Sequence, residues 1–430
     1  MRAKQQSLLA AGAMALASLL PLAPCAAAVK IVGAEGAWSL ERNGRPYFVR
    51  GAGGVDDYAA FASVGGNSVR VWDECRARER LDAADRHGLT LMVGLWLAHQ
   101  SDDARYSDPE WCERMAESAL SVVRANKDHP AVLLWAIGNE MEMGIADEDA
   151  LWRFIGDLAR RVKEIDPDHP VGTVVAEINP KKVEKMMRLA PALDWVGINT
   201  YGRARDVGRR WREYGGKRPY LLTEFGPPGP TESGRNGFGC LREWTSTAKA
   251  DWYEKVYRGN VMADAGSWCL GSYAFIWTHK VEGTATWFGM HTPDGDVLAS
   301  AERLQSLWDV VPPANRVPCV DPLVLSKDVL TGAGDSLTAE VRASDADGDA
   351  LSYDWFVWPE VSRSDGLWRG VRIPARVPGM IVAGAGTPRV TVRGGAEAGK
   401  FRLYCRVRDG KGGAALACQP LLVKEGRRGE

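Results

Sequence analysis

The sequence predicts an α/β protein, a (β/α)8 TIM barrel followed by a small C-terminal immunoglobulin-like β-sandwich, and three observations predict it. Between Tyr47 and Trp308 short apolar runs alternate with longer amphipathic stretches, the rhythm of βα units repeated around a parallel sheet. The 430 residues exceed the roughly 250 that a barrel needs and leave room for one smaller unit. Beyond the proline-containing stretch from Pro312 to Pro318 the rhythm changes to short alternating runs separated by Gly- and Asp-rich turns, as in a small antiparallel sandwich.

The elements follow in chain order. Arg2 and Lys4 precede an apolar run from Leu8 to Leu22, and Ala26-Ala27-Ala28 offers a small-residue cleavage site. Residues 1–28 are therefore expected to be an export signal, with a mature chain starting near Val29 that works in a secreted or periplasmic setting. Pro24 stands where a lipoprotein signal places a small residue, so Cys25 is not expected to be lipidated. No later run is long and apolar enough for a membrane span. Ile31 to Pro46, with Asn43-Gly44 as its turn, reads as a hairpin ahead of the barrel. Residues 29–311 are assigned to the barrel, whose eight strands are expected at Tyr47 to Gly51, Asn67 to Trp72, Leu89 to Leu97, Val132 to Gly138, Val171 to Ala176, Trp195 to Asn199, Pro219 to Glu224 and Gly271 to Trp277. Helical periodicity runs through Glu110 to Asn126, Asp147 to Ile165 and Thr245 to Ala263, with Asp147 placed as an N-cap. Residues 312–322 form the expected linker, 323–424 the sandwich and 425–430 a tail. The sandwich strands include Ser336 to Val341, Leu351 to Val357, Arg389 to Val392 and Phe401 to Val407.

Composition narrows the function. With 54 Lys+Arg against 55 Asp+Glu the chain carries no field that favours nucleic acid or an anionic membrane, and a neutral partner fits it better. Seventeen Trp residues are many; most belong in a core, and the rest suit the apolar faces of sugar rings. Without Cys25, seven cysteines remain. An oxidising compartment permits disulfides, and the expected pairs are Cys75 with Cys112, Cys240 with Cys269 and one within the C-terminal unit. No CxxC pair suggests zinc. The Asp345, Asp347 and Asp349 turn offers carboxylates to calcium but lacks the ligand set of an EF-hand, so no metal and no cofactor is expected. A monomer is expected.

Two carboxylates stand out by position. Val132 to Glu140 reads as a buried strand ending in Asn139-Glu140, and Pro219 to Gly226 as another that carries Glu224 at its end. They are the fourth and seventh strands, and the C-terminal ends of barrel strands form the mouth where barrel enzymes place their chemistry. A glycosidic bond needs such a pair, an acid to protonate the departing oxygen and a carboxylate to attack or to activate water. The loop from Gly226 to Leu241 is the expected wall of the cleft.

Lys127 to Val132, Trp135 to Glu140 and Thr223-Glu224-Phe225-Gly226 resemble the active-site strands of clan A glycoside hydrolases, the catalytic barrel of family 2 above all. Gly65 to Arg70 and Asp194 to Gly202 extend the likeness across the barrel. The resemblance implies a retaining β-glycosidase with Glu140 as acid/base and Glu224 as nucleophile. It also implies that Asn139 bonds the sugar 2-hydroxyl, that Arg70 and Tyr201 hold Glu224, and that Trp277 is the floor beneath the reacting sugar. Trp72, His99 and Trp287, with Asp73 and Trp96, lie near expected strand ends and are candidates to line subsites. The chain departs from typical family 2 members in placing its only sandwich after the barrel, and from many family 5 relatives in carrying Asn199 where they have His. The substrate is thus an oligosaccharide or polysaccharide of unspecified sugar. The rivals are a transglycosylase, and a carbohydrate-binding protein without catalysis.

Overall fold

The computed structural model describes residues 28–361, 373–395 and 397–426. The expected export segment, with Cys25, lies outside them. Eight parallel strands close into a barrel: β1 Val49–Gly53, β2 Ser68–Val71, β3 Thr90–Leu95, β4 Val132–Ile137, β5 Val171–Val175, β6 Trp195–Asn199, β7 Tyr220–Phe225 and β8 Cys269–Ala274. Each expected run contains its strand or overlaps it, with ends that differ by up to three residues. The largest shift is at β8, which ends at Ala274 rather than Trp277.

Alternation along each strand builds two cores. On β4, Leu134 and Ala136 face the barrel interior with Met92, Val174, Trp195 and Tyr273, while Trp135 and Ile137 face the helices outside. Large interior side chains fit because glycine stands opposite them. A Cβ built on Gly172 would lie 2.3 Å from the Trp195 ring and 2.6 Å from the Trp195 carbonyl oxygen. Gly172→Ala is expected to destabilise the fold by about 1–3 kcal/mol through overpacking, read as a lowered urea midpoint at unchanged slope.

The outer helices begin where capping side chains place them. Asp108, Asp147, Asn179 and Thr245 each accept a backbone N–H of the first turn of α3 Pro109–Asn126, α4 Glu148–Ile165, α5 Pro180–Leu189 and α7 Ser246–Val256; the remaining helices are α1 Tyr58–Ser63, α2 Ala77–Arg86, α6 Val207–Glu213 and α8 Ala299–Trp308. The α4 stripe of Leu151, Ile155, Leu158 and Val162 recurs at three- and four-residue steps and is buried. The expected helix from Thr245 to Ala263 is α7 continued by a π-helical segment, Tyr257–Met262. Val29–Val32 pairs with Ser39–Arg42, and the expected Asn43-Gly44 turn, with both residues at positive φ, joins Ser39–Arg42 to Arg45–Pro46, so the hairpin lies in a sheet of three short strands. It covers the N-terminal end of the barrel: Val29 N–H donates to the Asp168 carbonyl and Trp38 N–H to that of Ser267, both in loops that enter strands.

The C-terminal region is rich in strands. β9 Ser336–Glu340 pairs with β11 Arg389–Arg393, and β10 Ser352–Pro359 pairs with β12 Gly399–Arg408, which pairs in turn with β13 Gly413–Lys424. Leu337, Ala339, Val390 and Val392 share a core with Trp355, Val357, Leu403 and Val423. The barrel and these strands are bound together. Val297–Leu298 pairs with the start of β13, and Arg406 and Arg408 reach Asp294 and Asp296 in the loop after β8.

The expected disulfides are absent: all seven described cysteines are free thiols. On β12 and β13 the register pairs Cys405 with Ala417 and Tyr404 with Cys418. The two sulfurs are therefore one residue out of step and face opposite sides of the sheet, Cys405 into the shared core and Cys418 against Phe356 and Trp358. Cys269 is enclosed within β8. Among the described residues no helix is long and apolar enough to cross a membrane.

Candidate active site

The C-terminal ends of β2, β4, β6 and β7 converge on one cleft. Arg70 is the third residue of β2 and is buried inside the barrel. Asn139 and Glu140 follow β4 after Gly138, and both Gly138 and Glu140 lie at positive φ, 67° and 54°. Left-handed backbone is costly for a glutamate and is sustained here because the Glu140 N–H donates to the Val174 carbonyl at 2.9 Å. Glu224 sits within β7 and is 6% exposed.

Three donors fix Glu224. Arg70 Nη1 donates to its Oε1 at 2.9 Å, the Trp72 indole Nε1 to the same oxygen at 2.7 Å, and the Tyr201 hydroxyl to Oε2 at 2.6 Å. Burial first, then the Glu224 charge, lifts the Tyr201 hydroxyl well above the usual tyrosine range, so it remains a donor. Glu224 thus accepts from a guanidinium, an indole and a phenol, which fix both of its oxygens in place.

The surroundings of Glu140 differ. Burial, followed by the like charge of Glu224, pushes its carboxyl up to about 7, against the opposing effect of the Asn199 hydrogen bond. A carboxyl held toward protonation beside one gripped by three donors is an arrangement suited to an acid and its partner carboxylate.

Asn199, at the end of β6, bridges the two. Its Nδ2 donates to Glu140 Oε1 at 2.8 Å and to Asn139 Oδ1 at 3.1 Å, while its Oδ1 accepts from Arg70 Nη1 at 3.2 Å and from the Thr223 hydroxyl at 2.8 Å. Arg70 Nη2 donates to Asn139 Oδ1 at 2.6 Å. Both lone pairs of that oxygen are engaged, which turns the Asn139 amide nitrogen outward as a donor.

The structure therefore brings together Glu140, Glu224, Arg70, Asn139, Tyr201 and Trp72. Trp277 is elsewhere: it is 6% exposed, edge-on to Phe61 and stacked on Trp308 beneath the helices. Because β8 ends at Ala274, the aromatic ring from this segment that reaches the catalytic cluster is Phe275, which packs edge-on against both Trp72 and Tyr201, while Phe288 lines the cavity. Trp287 is buried behind Phe275 and Leu241, with its indole nitrogen donating to the Pro228 carbonyl. His99 packs on Trp96, and Asp73 pairs with Arg80 at 3.2 Å; among the described residues none of these three hydrogen-bonds to the Glu140–Glu224 cluster. Asn199 and Phe275 are the residues that sequence reasoning missed.

A cavity of about 600 Å³ opens from Glu140, Asn199 and Tyr201, within the size range of small-molecule sites. Its far side is the loop after β7, including Pro230, Glu232, Arg235 and Leu241, together with Glu360, Val361 and Lys400 of the C-terminal strands. No sequence signal marked that last contribution.

The model of the TIM barrel domain of glycosyl hydrolases family 2 matches residues 50–264, the stretch that supplies Arg70, Asn139, Glu140, Tyr201 and Glu224. The chain belongs to glycosyl hydrolase family 2. Within the family, Beta-galactosidase 2 of Enterobacter cloacae is 21% identical over 182 residues, which cover 36% of this chain and 16% of that protein. Among solved structures, a β-glucuronidase of Faecalibacterium prausnitzii superposes with a TM-score of 0.51 at 19% identity, over 66% of this chain and 52% of its own. An FMN-binding β-glucuronidase from strain L2-6 of that species superposes with a TM-score of 0.52 at 15% identity, over 92% and 59%. These two likenesses concern the fold. The family 2 chain described here spans little more than half the length of these solved structures and a smaller share of the galactosidase.

Proposed function

We propose that this chain is an exported retaining β-glycosidase acting on an oligosaccharide or glycan. The reading rests above all on the meeting of Glu140 and Glu224, from the ends of two barrel strands, within one hydrogen-bonded cluster. In this mechanism Glu224 attacks the anomeric carbon while Glu140 gives its proton to the departing glycosidic oxygen, breaking that C–O bond. Glu140, now a carboxylate, takes a proton from water, whose oxygen displaces Glu224 and completes a double inversion. Asn139 donates to the 2-hydroxyl, and Phe275 supplies the apolar face. A carboxyl separation of about 5 Å is what retention needs. The likeness to a β-galactosidase and to β-glucuronidases favours a β-galactoside or a β-glucuronide as the sugar cleaved. The C-terminal strands form an immunoglobulin-like sandwich in this reading, and the enzyme is a monomer.

The test is covalent trapping with 2-deoxy-2-fluoro β-glycosides of galactose and glucuronic acid. One sugar added to the peptide that contains Glu224, with β-configured product seen first by NMR, is the expected outcome. Label on another residue, or an α-product, would overturn the mechanism. The acid role also sets the pH response: Glu140 must be protonated, so kcat/KM is expected to fall tenfold per unit once pH rises above about 7. A profile that stays flat to pH 9 would contradict it.

A further inference from the structure

We propose that the cleft has a second subsite for an acidic sugar, built jointly by the loop after β7 and the C-terminal strands, with Arg235 and Lys400 as its recognition groups. The inference rests on the glycosidase reading and adds a substrate class to it. Arg235 and Lys400 both line the cavity that opens from Glu140. Gly239 places them together: Arg235 Nη1 donates to its carbonyl at 2.7 Å, and a Cβ on Gly239 would lie 3.7 Å from Lys400 Nζ.

The carboxylates nearby are already engaged. Glu360, whose N–H donates to the Lys400 carbonyl at 3.0 Å, is held by Arg402, which donates from Nε to its Oε2 at 2.9 Å and from Nη2 to its Oε1. Glu232 Oε2 accepts the backbone N–H groups of Gly202 and Gly229, at 2.9 and 2.7 Å. Glu282 pairs with Lys280, and Glu177 with Arg210. Among the described residues neither Arg235 nor Lys400 forms an ion pair within 4 Å, although the Lys400 charge acts on Glu360, so two cations stand at the outer end of a cleft whose inner end holds the carboxyl pair. A sugar that reaches from Glu140 toward Leu241 and Val361 would present its outer ring to them. A guanidinium and an ammonium across one glycine suit a carboxylate or a sulfate ester. Neither cation belongs to the catalytic cluster, and one comes from the C-terminal strands.

Calorimetric titration of the full chain with D-glucuronate, glucose 6-sulfate and D-glucose tests the proposal without turnover. Wild type is expected to bind at least one acidic sugar about tenfold more tightly than glucose, with the preference shrinking between 50 mM and 500 mM salt. Arg235→Gln with Lys400→Gln should abolish the preference. Both residues are exposed, and an unchanged melting temperature would show that the double variant is folded. Preference for glucuronate alone assigns a uronic acid, and preference for glucose 6-sulfate alone a sulfated sugar. Equal affinity for acidic and neutral sugars, or an acidic preference that survives the double substitution, would overturn the proposal. Should trapping on Glu224 fail, the catalytic reading falls by itself, because these titrations report binding alone.

Discussion

Glu224→Ala is expected to lower kcat on an aryl β-glycoside by about 10⁵-fold, equivalent to about 7 kcal/mol of transition-state stabilisation. In the proposed mechanism this residue forms the bond to the anomeric carbon, and among the described residues no other carboxylate is held by Arg70, Trp72 and Tyr201. Water cannot replace it, since the site then lacks a base on that face of the sugar. Azide can: it fits the space of the missing side chain and attacks opposite the leaving group, so an α-glycosyl azide should accumulate. Rescue that gives the β-azide, or a variant retaining more than about a hundredth of wild-type kcat, would remove Glu224 from the nucleophile's role.

Glu140→Ala should lose about 10²–10⁴-fold on substrates with a poor leaving group, the usual worth of a positioned general acid. On a dinitrophenyl glycoside, whose leaving group needs no proton, formation of the glycosyl-enzyme should be nearly unimpaired and its hydrolysis slow, giving a burst. Azide then attacks the covalent intermediate, and the product is the β-azide. The two variants thus give products of opposite configuration from one reagent. Loss of similar size on good and poor leaving groups would show that Glu140 is not the proton donor. Removing it also relieves a burden on the fold. A carboxyl with a folded pKa near 7 and an unfolded value near 4.5 favours the folded state while both forms are protonated, and that advantage is lost as pH rises from about 4.5 through 7. Glu140→Gln should therefore gain stability over wild type progressively between about pH 4.5 and 7, with the full gain reached above pH 7.

Both carboxylates could be read from the chain because a barrel strand announces itself by its apolar run, and the run's C-terminal end fixes the side of the molecule. Trp277 was misplaced for the same reason in reverse: the apolar stretch continues three residues beyond the last β8 residue, and nothing in Ala274-Phe275-Ile276-Trp277 says where pairing stops. Asn199 ends its strand as any polar residue could. Its importance comes from Arg70, 129 positions earlier, and Glu140, 59 positions earlier, which only the closed barrel brings near. Cys405 and Cys418 looked pairable until the register set them on opposite faces. Local patterning carries strand identity and side, while contacts between distant segments are set by closure and register.

Beneath the cleft's outer wall, Glu243 accepts from Lys249, Thr284 and Thr286, and its side chain also meets Cys418 of β13. Burial alone would raise its carboxyl, but Lys249 and Arg402 outweigh burial and hold it at about 2. Arg402 in turn donates to the Leu241 carbonyl, in the wall itself. The barrel is therefore a poor unit for grafting or domain shuffling. Cut free of β12 and β13, it would lose the counter-charges of a submerged knot together with one bank of its own substrate channel.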